Sequence, residues 1–376
     1  MSNNDFSLFY HIMKDKLKVA VIFNEANPDF YIKQPDYLTK ELPFSTYFEV
    51  ENLTPMEEYE LLAGRLRKIG LNAYTLNIKD DIEILISDLK KHKPDVIFNF
   101  IELFKDNSRL EMNVVGLLEL LGIPYTGAPP MSLANCQNKA LAKRMLNALG
   151  IKTPKFAIVK KIEGRYAKGL KYPLIVKPAF EDASVGIEND SIVNNLKQLN
   201  KRVEYILDFF LQPALIEEFI DGRELNVAVL GGKTPTILPI SEIDFKQMPD
   251  HLYNIVSYQA KWDPHNEAYH KTIPVCPAIL PKRIENKAFA IALKAFNAMG
   301  CRDYARVDMR LDKNNELYVL EVNPNPDLTE SAGFMRSAEA AGYTYEEMLQ
   351  KIISFAWLRR KPPVKIPAFN HTHSKQ

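Results

Sequence analysis

Apolar positions recur with two periods along the chain, and the switches between them predict its elements. Lys18 to Phe23 (KVAVIF) is a short Val- and Ile-rich run and reads as a buried strand. Met56, Tyr59, Leu62, Leu66 and Ile69 fall at helical spacing, and Gly70 supplies a residue that ends such a helix. Asn72 to Leu76 predicts a second strand and Ile82 to His92 a second helix. Pro94 opens a third strand, Asp95 to Phe100. This alternation over about 80 residues is the pattern of a parallel α/β unit. Leu110 to Leu121 adds a helix closed by Gly122. Between the first strand and helix, Asn24 to Pro55 is long, aromatic and Pro-punctuated, which marks an insertion or a lid.

The pattern then changes. Asn135 to Leu149 predicts one helix ending at Gly150, followed by strands at Thr153–Val159 and Pro173–Pro178. Two more strands, Leu215–Phe219 and Glu224–Leu230, are joined through Asp221-Gly222. Beyond Thr236, irregular Pro-rich pieces alternate with short strands. Pro281 to Met299 is a helix, Ala305–Leu311 and Glu316–Val322 are paired strands, and Tyr343 to Trp357 is a last helix. A Pro-containing polar tail follows Arg360.

Composition narrows the class. The 376 residues allow two or three domains. With 46% hydrophobic and 25% charged residues, disorder, collagen and coiled coil are poor readings. A net charge of +1 gives no reason to expect nucleic acid or an anionic membrane as partner. No apolar run approaches the roughly 18–20 residues of a membrane span. Met1 to Lys18 lacks the apolar core of a signal peptide. Cys136, Cys276 and Cys301 are scattered, which suggests reduced thiols in a cytoplasmic protein.

Candidate chemistry concentrates in Ala305 to Pro326 (ARVDMRLDKNNELYVLEVNPNP). A two-residue turn at Asn314-Asn315 would set Asp308 across from Glu321 and Arg306 across from Asn323. Side chains alternate faces, so these polar residues share one face, and Val307, Met309, Leu320 and Val322 share the apolar other. Two carboxylates and an amide at about 5 Å repel unless a cation joins them, and such hard oxygens suit Mg²⁺. The alternative is a solvated sheet face with cross-strand ion pairs. Lys177 interrupts the apolar strand PLIVKP, where burial is costly unless an anion is near. The small, polar stretch Glu181 to Gly186 behind it suits a phosphate-covering loop. Lys139, at the start of a helix, reads without context as a surface lysine. Leu215 to Ile220 ends a strand whose backbone could read a base edge, and Glu224 could hold ribose hydroxyls.

In order and spacing these pieces resemble the ATP-grasp superfamily and, within it, the D-alanine–D-alanine ligase group. The resemblance covers roughly Asn113 to Ser354 and is carried by GLLELLGIPYTG, NKALAKRMLNALGIKTP, PLIVKPAFEDASVGI, LIEEFIDGREL and ARVDMRLD…LEVNPNPDLT. It implies an N-terminal Rossmann-like parallel-sheet domain (1–130) and two α+β grasp subdomains (131–214 and 215–360), with a tail at 361–376. It implies ATP and Mg²⁺ as cofactors, with Mn²⁺ able to substitute. Lys139 and Lys177 look like the phosphate lysines, and Ser184 falls in the covering loop. Glu217, Glu218, Phe219 and Ile220 look like the adenine strand, and Glu224 the ribose carboxylate. Lys261, in a covering segment Asp244–Pro274, matches a lysine that reaches the γ-phosphate. Asp308, Glu321 and Asn323 look like metal ligands, and Arg306 like the arginine that steadies the transferred group.

The implied activity is carboxylate–amine ligation through an acyl-phosphate, on small-molecule substrates such as an amino acid or small peptide. Homodimers are common among similar enzymes. Substrate-facing positions depart from the family. Its early Gly-rich loop is replaced by Asn24-Glu25-Ala26-Asn27, and another stretch by Ile101–Arg109. Its loop tyrosine is Trp262, its Ser-Leu pair aligns with Ala332-Gly333, and a late glycine is Asp327. These changes point to a substrate other than D-alanine, held by Glu102, Arg109 and the aromatic stretch Phe30–Phe48. Competing readings are an authentic D-alanine–D-alanine ligase and a non-catalytic nucleotide-binding module. Biotin-dependent carboxylation has no matching segment.

Overall fold

A computed structural model describes residues 17–28, 47, 53–163 and 166–360. Most of the 24–55 insertion, nearly all of Phe30–Phe48, and the tail 361–376 lie outside the described residues. Strands β1 (Lys18–Phe23), β2 (Asn72–Asn77) and β3 (Val96–Phe100) form a parallel sheet in the order β2-β1-β3. Strand β1 is buried on both faces, which is why it has no polar alternation. Val19 and Val21 pack on the Pro55–Lys68 helix, while Ala20 and Ile22 join the core under the Ile82–His92 and Glu111–Leu121 helices. Thr54 and Glu57 close a capping box that starts the first of these helices.

Strands β4 (Phe156–Val159), β5 (Leu174–Pro178), β6 (Ile192–Val193) and β7 (Ala214–Glu218) form an antiparallel sheet in the order β4-β7-β5-β6. Leu174, Val176 and Ile216 face Leu199, Val203 and Ile206 of the Leu196–Phe209 helix. That helix lies where the sequence reading assigns no element. With one face closed, Lys177 and Glu217 must point the other way. Strand β7 pairs with β4 and β5, so this sheet runs past the boundary expected at residue 214.

The third sheet contains β8 (Gly222–Leu230), β9 (Thr236–Ile237), β10 (Ser241–Asp244), β11 (Ile273–Val275), β12 (Tyr304–Asp312) and β13 (Leu317–Asn323). Its order is β11-β10-β8-β12-β13, with β9 beside β8. Val227, Val307, Met309 and Val319 pack on the Lys282–Met299 and Lys139–Ala148 helices. The opposite face is apolar where Ala228, Leu230 and Tyr304 meet the Tyr345–Leu358 helix. Elsewhere on that face it is polar. Gly127 (φ +90°) ties the parallel sheet to this one, because a Cβ there would lie 2.4 Å from Asn325 Oδ1. No helix among the described residues is long and apolar enough to cross a membrane.

Several local expectations are corrected. The Asn135–Leu149 helix is two, Pro130–Gln137 and Lys139–Ala148, because Asn138 leaves helical geometry and its side chain caps Leu141 N at 3.1 Å. The stretch beyond Thr236 also contains short helices at Tyr258–Trp262 and Glu267–Lys271. The β12–β13 turn is one register step from the expected one, pairing Leu311 with Leu317. A bulge between Asp308 and Met309 then restores Asp308 opposite Glu321. The extra residue is Leu320. It leaves the apolar face, where Val319 takes the place expected for it opposite Met309.

Candidate active site

Strands β8, β12 and β13 lay their polar residues in cross-strand rows. Asp308 lies between Asn226 and Glu321, and Arg306 between Ala228 and Asn323. Arg306 grips Asp308 with two bonds, Nε to Oδ1 at 2.7 Å and Nη2 to Oδ2 at 2.8 Å. Asn226 and Asn323 each donate to Asp308 at 2.8 Å. Lys139 reaches across from its helix to Glu321 Oε2 at 3.1 Å and Asp182 Oδ1 at 2.8 Å. Burial alone would raise the Glu321 carboxyl, but Lys139, Lys177 and Arg306 outweigh it and hold it well below the usual range. Lys139 is held charged by the same exchange, with Asp182 and Glu321 outweighing its burial.

The small sheet supplies a second charged cluster. Glu217 Oε1 lies 2.6 Å from Lys143 Nζ and its Oε2 lies 2.8 Å from Lys177 Nζ. Burial favours the neutral forms here. It drives Lys143 down to about 8, while Glu217 stays below its ordinary value under the two ammonium groups. Lys143 also donates to the carbonyl of the bulge residue Leu320 at 2.9 Å, so it joins the two sheets.

The segment 244–274 docks on the loop that follows β5. Trp262 Nε1 donates to Ala183 O at 2.8 Å, Ser184 Oγ to Val256 O at 2.8 Å, and Tyr258 N to Ile187 O at 2.7 Å. Ala183 (φ +52°) and Ser184 (φ +64°) are both left-handed, a conformation that costs about 1 kcal/mol or more per non-glycine residue and that these contacts hold in place. Docking brings Lys261 into the cleft. Desolvation and the nearby Arg306 lower its pKa, opposed by Asp327, Glu102 and Glu321. Glu102 is open to water yet deep between walls, and burial with Asp327 raises it to about 6.

Lys139, Lys261, Arg306, Asp308, Glu321 and Asn323 thus converge. Glu224 lies one row along the same face, within the field of Asp308, Glu321 and Arg306. Glu224 is paired with Arg310 at 2.7 Å, and its carboxyl is raised mainly by burial. Glu218 accepts from Lys171 N at 3.0 Å. Phe219 lies under Arg310 at 5.7 Å and edge-on to Tyr253, with the partly exposed Ile220 after it. Arg109 stacks over Phe180 at 5.0 Å, so it clasps the β5 loop. Lys143, Asn226, Asp182 and Arg310 were not among the sequence candidates. Lys143 follows Lys139 by one helical turn and Asn226 follows Glu224 by one strand repeat, and both spacings are readable.

Among the described residues no three His, Cys, Asp or Glu side chains form a metal cluster. The donor set is two opposed carboxylates and an amide. Asn323 Nδ2 lies 2.8 Å from Asp308 Oδ2 and 3.5 Å from Glu321 Oε1, so the three groups close on one point. With the amide turned to present oxygen, this set fits a hard divalent cation.

Comparisons with known proteins bear on the fold and the family. A family model described as the D-ala D-ala ligase C-terminus matches residues 145–354. The uncharacterized protein y4sG of Sinorhizobium fredii is 32% identical over 70% of this chain and 75% of its own length. A D-alanine–D-alanine ligase of Carboxydothermus hydrogenoformans is 33% identical over 77% of this chain and 88% of its own. The crystal structure of D-alanine–D-alanine ligase from Bacillus anthracis complexed with ATP matches with a TM-score of 0.69 at 25% identity, over 92% of this chain and 98% of that one. The fold is that of the ATP-grasp ligases. The chain belongs to the D-alanine–D-alanine ligase family.

Proposed function

We propose that the protein is an ATP-dependent carboxylate–amine ligase that works through an acyl-phosphate, with an amino acid or small peptide as substrate. The observation that carries this is the convergence of Lys139, Lys261, Arg306, Asp308, Glu321 and Asn323 on one cleft face. A substrate carboxylate attacks the γ-phosphorus, ADP leaves, an amine attacks the acyl carbon, and phosphate leaves. The difficulty is charge, because a carboxylate must approach a triphosphate. Lys139 and Lys177 hold the phosphates, Lys261 contacts the γ-phosphate from the docked segment, and Arg306 steadies the transferred group. Asp308, Glu321 and Asn323 would hold Mg²⁺, which supplies charge neutralisation at the phosphates when bound. The 182–187 loop and the 244–274 segment exclude the water that would hydrolyse an acyl-phosphate. Glu218 to Ile220 and Glu224 form the nucleotide's base and ribose side in this reading. Three units are part of it, with the second boundary at the 219–221 link.

The test is ADP release over a panel of amino-acid and carboxylate pairs, with product masses. A ligase gives ADP only with both partners and a condensed product. ADP independent of any pair, or none at all, contradicts the reading; absence of turnover with retained ATP affinity indicates a binding module. A second reading, D-alanine for both substrates, is favoured by the C. hydrogenoformans relative and requires D-alanyl-D-alanine as the main product.

A further inference from the structure

One guanidinium on the large sheet joins that sheet to the covering segment and to the link before β8. Arg310 stands directly across from Glu224 in the β8–β12 pairing, one row along from Asn226 and Asp308. It shares their polar face, because Leu225, Met309 and Leu311 fill the apolar other one. Its side chain is only 4% exposed. Nη2 lies 2.7 Å from Glu224 Oε2 and donates to Asn254 O at 2.6 Å, and Nη1 donates to Gly222 O at 3.0 Å. The guanidinium also lies 5.7 Å from the ring centre of Phe219 and 5.4 Å from that of Phe245. A salt bridge to Glu224 alone needs one donor, which a lysine could supply, whereas the planar fork reaches two carbonyls from separate parts of the chain. The covering segment is thus pinned on two sides. Val256, Tyr258 and Trp262 hold the loop after β5, and Asn254 holds the large sheet.

We propose that Arg310 is a positioning residue for the ligation, which aims Glu224 at the nucleotide and anchors the covering segment through Asn254 O. The proposal rests on the ligase reading and deepens it. One side chain then sets both the floor under the ribose and the cover that keeps water from the acyl-phosphate. The rival is a plain ion pair, in which Arg310 only offsets the charge of Glu224. The two differ when both charges are removed together, since a counter-charge is then dispensable and an anchor is not.

The test uses the full chain with Mg²⁺. Amide exchange over residues 250–262 is followed with a non-hydrolysable ATP analogue bound. The ratio of free phosphate to coupled product is followed with ATP and the best substrate pair. Arg310→Met should speed exchange in this stretch about tenfold and raise the ratio about fivefold at saturating ATP. Arg310→Lys, which reaches Glu224 but does not span both carbonyls, should recover ATP affinity and little of the protection. Glu224→Gln should weaken ATP binding and leave exchange and ratio within about twofold of native. The double variant Glu224→Gln/Arg310→Met buries no unpaired charge, which keeps the test open where Arg310→Met fails to fold, and it should show both changes. The proposal is overturned if the double variant, or Arg310→Met itself, has native exchange and a native ratio. Faster exchange in the Arg310 variants without ADP release from any pair leaves the anchor standing and removes the ligase reading. Coupled turnover with native exchange and a native ratio in those variants does the reverse.

Discussion

Both antiparallel sheets turn a charged face to the cleft, but one closes its charges in and the other leaves them at an open edge. On the small sheet, Glu217 is shared by Lys143 and Lys177 and offsets one of their two charges, and the side chains of Lys143, Glu217 and Lys177 are exposed by 1%, 1% and 7%. On the large sheet, Arg306, Asp308 and Glu321 retain exposures of 20%, 8% and 29%. The first cluster is a buried joint that locks Glu217 between two lysines and leaves one positive charge over, which Lys177 can offer to an anion. The second stands at a cleft where ligands can replace its internal partners. Similar residue types thus stand in a closed joint in one place and at an open cleft in the other.

The largest effect of breaking this contrast belongs to the sealed joint. Glu217→Ala leaves two ammonium groups buried without a counter-charge, and should cost about 3–5 kcal/mol of stability. Urea unfolding measures it, and a loss below about 1 kcal/mol would mean that the joint is not sealed. An intermediate effect falls on the docked segment. Trp262→Phe removes one hydrogen bond to Ala183 O, worth about 1 kcal/mol. The ratio of free phosphate to coupled product should rise several-fold, and an unchanged ratio would separate Trp262 from water exclusion. The smallest effect concerns Glu102. Its folded carboxyl binds its proton more tightly than the ordinary value of 4.5, at about 6. The folded state therefore holds more protons in that window, and stability falls as pH rises through it. Water reaches this carboxylate, so the slope amounts to under about 1 kcal/mol, and Glu102→Gln should flatten it.

The same contrast separates what was legible in the sequence from what was not. Lys177 announced itself, because a lysine inside PLIVKP violates the cost of burial. The pairing of Asp308 with Glu321 was also readable, but through two compensating errors. The turn lies one step from the expected register, and the bulge at Leu320 corrects it, although Leu320 looks no different from Val319 in a strand. Asn138 carries the residue type of a cap, but both of its flanks are strongly helical and periodicity alone runs one helix through it. Arg310 was illegible for another reason. Its partners beyond Glu224, the carbonyls of Gly222 and Asn254, arrive from other parts of the chain, which no local spacing encodes.

The most direct measurement is ADP release by Asp308→Asn with the best substrate pair of the native chain, beside its affinity for ADP without metal. Turnover should fall by about 10³-fold, since the carboxylate that orients Arg306 and completes the oxygen set is gone, while nucleotide affinity stays within about threefold. Native turnover in this variant would mean that the β12–β13 face is a structural ion-pair lattice and that phosphoryl transfer takes place elsewhere.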